Sequence, residues 1–131
     1  MRLFVADDPN GAWTELTDGT ERAVRVAAPD LAQARRVRSR IRAATKDVSV
    51  ILDVTVAVAA DFRAARRDAG SVDGVHYVGT VDGLAGLIAD IETTGVADGV
   101  TLIPASSRQD LRLVGHDVLD WLTIRGHARA S

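Results

Sequence analysis

Cysteine is absent from the 131-residue chain, which removes disulfides, thiolate catalysis and cysteine-ligated metals from consideration. Aromatic residues are scarce at 4%, so the core must come from small and β-branched side chains, a composition that suits parallel strands covered by helices. Nowhere do about 18 apolar residues run uninterrupted, and no apolar stretch of signal-peptide length follows Arg2. A soluble, cytoplasmic protein without a membrane partner is expected. Neither sign of charge prevails: 16 Lys and Arg face 18 Asp and Glu, a formal charge of -2, which argues against a dedicated nucleic-acid binder. His76, His116 and His127 fall in separate predicted elements without ligand spacing, so no metal site is expected. Ser106 and Ser107 lack the Gly-x-Ser-x-Gly elbow of a nucleophile. No residue is assigned a catalytic role.

What is present is alternation. A short apolar run at Leu3 to Ala6 ends in the turn-forming Asp7-Asp8-Pro9-Asn10-Gly11, and a polar stretch to Thr20 holds Trp13 as a packing anchor. From Arg22 onward the chain reads strand then helix four times: 22–28 with 30–45, 48–59 with 61–69, 75–79 with 80–94, and 98–104 with 107–122. Asp30, Asp61 and Thr80 are placed as N-caps, Gly70 and Gly95 as stops, and Ser107 with Asp110 resembles a capping box. In the first helix Leu31, Ala34, Val37 and Ile41 form the buried stripe, while Arg35, Arg36, Arg38, Arg40, Arg42 and Lys46 read as a solvated outer face.

Such alternation implies a parallel sheet. A (β/α)8 barrel takes about 200 to 250 residues, so the expected architecture is a parallel sheet of four βα units, half of a TIM-type barrel, with an open doubly wound sheet as the alternative. Residues 1–21 then form an N-terminal strand and loop extension, 22–122 the half-barrel domain, and 123–131 a frayed tail. Ligands in either architecture collect at the carboxyl ends of the strands.

Two features there bear on function. The Gly79-Thr80 turn opens a helix whose first backbone N–H groups suit a phosphate. In the long apolar strand, Val50, Leu52, Val54, Val56 and Val58 share one face, suited to packing on helices, and Ile51, Asp53, Thr55, Ala57 and Ala59 share the other. A carboxylate in a central strand must be paired, hydrogen-bonded or wet. Asp53 therefore has either a neighbouring Thr or Arg as partner, or a place with Thr55, His76, Tyr77 and Thr101 in one polar cavity.

Four segments together carry a resemblance: Ala-Pro-Asp-Leu-Ala-Gln-Ala-Arg at 28–35, Leu-Asp-Val-Thr-Val-Ala-Val at 52–58, Gly79-Thr80, and Gly-Val-Thr-Leu-Ile-Pro at 99–104. In order and spacing, residues 22–122 resemble the C-terminal half of the luciferase-like flavin- or deazaflavin-dependent monooxygenases. The resemblance implies an FMN or deazaflavin site at the carboxyl face, with the Gly79-Thr80 helix start near the cofactor phosphate. Gly79, Thr80, Asp53, Thr55, His76 and Thr101 are the candidate cofactor-binding residues. The family's first barrel half has no counterpart here, and the connection from Gly70 to Val75 is short where the family carries a long insertion. A lone half-barrel would expose strand edges and an apolar face. A homodimer, or a separate N-terminal half-barrel chain, is therefore expected. The alternative function is a non-catalytic dimeric module that binds a phosphorylated ligand or a partner half-barrel.

Overall fold

The computed structural model describes residues 1–8, 11–69, 74–106 and 108–124. The expectations for Pro9 and Asn10, for Gly70 and the connection after it, for Ser107 and for His127 fall on positions outside the described residues, while Thr123 and Ile124, expected at the start of the frayed tail, are helical. In chain order the elements are β1 (Arg2–Ala6), β2 (Trp13–Glu15), β3 (Arg22–Val26), α1 (Leu31–Ala44), β4 (Val48–Val58), α2 (Phe62–Ala69), β5 (His76–Gly79), α3 (Val81–Thr93), β6 (Gly99–Pro104) and α4 (Leu111–Ile124).

Local signals account for the helix ends. The carboxylate oxygens of Asp30 and Asp61 accept from the N–H groups of Gln33 and Ala64 at 2.8 Å, each satisfying a donor that the first turn leaves open. Gly95 adopts φ 75° after α3, the left-handed conformation glycine tolerates best, and Val96 N–H returns to Ile91 O at 3.0 Å.

The sheet departs from the expected half-barrel of four parallel βα units. Six strands join in the order β2-β1-β6-β4-β3, with β5 also on β4. The β1–β2 pair is antiparallel and the other pairings are parallel, so the sheet is mixed. The reason lies in strand length. β4 spans 11 residues, enough for β3 to pair with Val48 to Leu52 and β5 with Thr55 to Val58 along one edge. Its other edge is taken by β6. The strands on either side of α3 are consequently parallel but not neighbours, because β4 lies between them. The free edge of β6 accepts β1, so residues 1–21 supply two strands of the sheet.

The two faces of β4 separate as its alternation predicts. Leu52, Val54 and Val56 join Leu3, Val5, Val100 and Leu102 in one core with Ala34 of α1, Leu84 and Ile88 of α3, and Val114 and Val118 of α4. The opposite face carries Phe4, Ile51, Asp53, Thr101 and Ile103, all buried. Trp13 stacks on Phe4 at 4.1 Å between ring centroids. Across the sheet, Arg25 of β3 donates to the carbonyl oxygens of Gly11 (2.8 Å) and Asp8 (3.2 Å). From β1 to β3 is three strand steps, about 14 Å if flat, beyond the reach of one arginine. The sheet therefore curls until its two ends meet over this face. The apolar face that a lone half-barrel would expose is thus closed within one chain.

Candidate ligand site at the carboxyl edge of the sheet

The parallel strands β1, β6, β4 and β5 end at Ala6, Pro104, Val58 and Gly79. Beyond the first two opens a cleft of about 440 Å³ whose walls include Val5, Asp7, Thr14, Pro104, Arg108 and Arg112. Its far wall is the start of α4. There Asp110 caps the helix, its Oδ1 accepting from Leu113 N–H at 3.2 Å, and Gln109 Oε1 accepts from Val58 N–H at 2.8 Å. The second bond ties the approach to α4 to the end of β4. It fixes where the exposed Arg108 and Arg112 stand, and Arg112 has no protein partner among the described residues. Guanidinium groups beside a helix start are suited to a phosphate or carboxylate.

At α3 the predicted cap is in place, with Thr80 Oγ1 accepting from Gly83 N–H at 3.5 Å. The glycines there serve a neighbour. Tyr77 Oη donates to Thr80 O at 2.9 Å, and a Cβ at Gly79 or Gly83 would lie 2.4 or 2.1 Å from that hydroxyl oxygen. The ring fills the space beside this turn, and Asp82 adds negative charge to it. The N–H groups of Val81 and Asp82 have no acceptor among the described residues.

The other predicted residues divide between two places. Asp53 is in register with Thr101, and Thr55 with His76, so these four lie side by side on the curled face and its edge. Gly79 pairs with Val58, five residues beyond Asp53 or about 16 Å along the strand, so the α3 start does not join them. His76 is exposed, with Nδ1 3.0 Å from Gly74 O. Asp53 has the arginine partner: Arg25 Nε–H donates to Oδ1 at 2.8 Å. Burial holds the Asp53 carboxyl above its ordinary range, with the Arg25 hydrogen bond opposing the shift. Thr101 is 0% exposed, and its hydroxyl oxygen has no hydrogen-bond partner among the described residues.

Sequence reasoning missed Arg25 and the cleft arginines. Strand parity was the available signal for Arg25, which is in register with Ile51 and so shares the Asp53 face. For Arg108 and Arg112 it was their spacing around the Asp110 cap. No group of three or more metal-ligating side chains occurs among the described residues, and no helix there is long and apolar enough to cross a membrane. The chain matches no protein-family model and none of the curated proteins.

Proposed function

We propose that this chain is the cofactor-binding part of a cytoplasmic, luciferase-like oxidoreductase and holds FMN or a deazaflavin in the cleft beyond β1 and β6. The observation that carries the reading is that cleft. Its volume of about 440 Å³ falls within the roughly 300–1,000 Å³ of small-molecule sites, and it lies at the carboxyl ends of parallel strands, where such sites concentrate. Arg112 and Arg108 bind the cofactor's phosphate, while Val5, Pro104 and Leu111 offer an apolar wall that excludes water. A bound flavin or deazaflavin supplies the hydride chemistry, which belongs to the cofactor. Walls beyond those of this chain come from a second copy or from a separate half-barrel chain.

A second reading, a non-catalytic module for a phosphorylated ligand, is favoured by one observation. The ionisable groups of the cleft, Asp7, Arg108, Asp110 and Arg112, are all exposed, so no buried acid or base stands ready for proton transfer.

Thermal unfolding with FMN, with a deazaflavin and with a ring-free sugar phosphate separates the readings. At about 100 times the dissociation constant, a ligand of the native state adds ~2.7 kcal/mol. Stabilisation by either ringed cofactor, lost in Arg112→Ala, supports the oxidoreductase. Equal stabilisation by the sugar phosphate supports the module, and no shift with any ligand refutes both. Thr80→Val leaves the affinity unchanged if the phosphate sits at α4, and lowers it if the α3 start is the anchor.

A further inference from the structure

The helices on the outer layer carry a second pattern that folding of the single chain does not use. In α4 the residues Leu111, Val114, Val118 and Leu122 are buried. On the opposite side Leu113, Asp117, Asp120 and Ile124 recur at i, i+4, i+7 and i+11, which is again one helical face. Leu113 is 58% and Ile124 84% exposed, and among the described residues the carboxylates of Asp117 and Asp120 have no partner. The face therefore presents two carboxylates between two apolar ends.

In α1 the stretch from Leu31 to Lys46 contains no acidic residue. Two of its arginines are used internally: Arg38 and Arg42 bond Asp98 at 3.0 and 3.3 Å and also reach the carbonyls of Gly95 and Val48. These bonds hold the helix on the sheet and turn its other side outward. There Ala32, Arg36, Arg40 and Ala43 recur at i, i+4, i+8 and i+11, all exposed, and neither arginine has a partner among the described residues. Two cations lie between two small apolar ends, over the same span as the α4 pattern.

We propose that the outer faces of α1 and α4 are the two halves of a contact between copies of this chain, Arg36 and Arg40 of one against Asp117 and Asp120 of the other. Leu113 and Ile124 pack over Ala32 and Ala43, small residues that let the helices approach closely enough for their ridges to mesh. Exposed ion pairs contribute little by themselves; their part is to set partner and register, while the apolar ends supply the affinity. Both helices pack on the same side of the sheet, so a two-fold axis lets the contact form twice and closes a dimer. The acidic α4 face, with its two exposed aliphatic side chains, favours a second copy over a nucleic acid as the occupant of the α1 face.

Sedimentation equilibrium of the full chain tests this, with circular dichroism to confirm that each variant is folded. The wild type is expected to dimerise, more weakly at high salt. Arg36→Glu with Arg40→Glu, and separately Asp117→Arg with Asp120→Arg, should each raise the dissociation constant about a hundredfold through like-charge contacts. Mixing the two double variants should restore a dimer, because both contacts then pair opposite charges. Leu113→Ser should weaken the dimer without changing its charge. A wild type that stays at monomer mass, a dimer that survives either charge reversal, or a mixture that remains monomeric overturns the proposal.

Discussion

The guanidinium of Arg25 donates to Asp53 Oδ1 at 2.8 Å and to the carbonyl oxygens of Gly11 and Asp8, joining the far edge of the sheet to the β1–β2 connection. It also lies 5.7 Å from the centroid of Trp13. One side chain thus neutralises a buried carboxylate and closes the curl. Arg25→Met leaves the Asp53 carboxyl, its side chain about 10% exposed, without its guanidinium partner, and the expected loss is about 3 kcal/mol in urea denaturation. Asp53→Asn, which keeps an acceptor for Nε–H, should cost less.

The two arginine-bound carboxylates should respond to pH in opposite directions. The Arg2 hydrogen bond, aided by Thr17 and Gly19 and opposed by burial, holds Glu15 below its ordinary 4.5. Its contribution is therefore present above 4.5 and lost as pH falls through the folded value. Asp53 is held above its ordinary 3.8; its contribution is present below 3.8 and lost as pH rises through the folded value. Stability measured from about pH 3 to 7 should show the advantage of wild type over Glu15→Gln shrinking toward acid. Against Asp53→Asn the advantage should be greatest toward acid.

Two glycines predict opposite outcomes for the same substitution. A Cβ on Gly99 would lie 2.3 Å from the carbonyl oxygen of Arg2, at the β1–β6 pairing where neither backbone has room to yield. Gly99→Ala should cost about 3 kcal/mol. Around Gly86, inside α3, a Cβ meets nothing within 4 Å, so Gly86→Ala should add about 0.8 kcal/mol of helix propensity. Thermal unfolding of the two variants gives the comparison.

The unpartnered hydroxyl of Thr101 makes Thr101→Val a stabilising exchange, by about 1 kcal/mol, since the shape is kept and an unmet hydrogen bond removed. Denaturant midpoints measure it. A loss of that size would instead reveal a partner for the hydroxyl.

Much of the molecule was legible residue by residue. The period-2 pattern of β4 assigned Leu52, Val54 and Val56 to the helix-covered core and Asp53 to the other face, and the side-chain caps at Asp30, Asp61 and Thr80 marked helix starts. At the site the legible part was smaller. The ends of β5 and β6 and the Gly79-Thr80 turn were placed correctly in the chain, but the cleft was not, since its walls come from segments about a hundred residues apart in sequence. Nor does a three-residue strand such as β2 carry enough period to announce itself.

By itself, then, the sequence determined the local structure: which residues alternate, which repeat every three to four, which cap, and that Asp53 needs a partner. These follow from steric and hydrogen-bonding rules that act over a few residues. Only the tertiary structure decided that β4 separates β5 from β6, that β1 completes the sheet, and that Arg25 draws the two ends together. Strand order and curl depend on which edges remain free and which distant side chains can reach each other, and no local period encodes either.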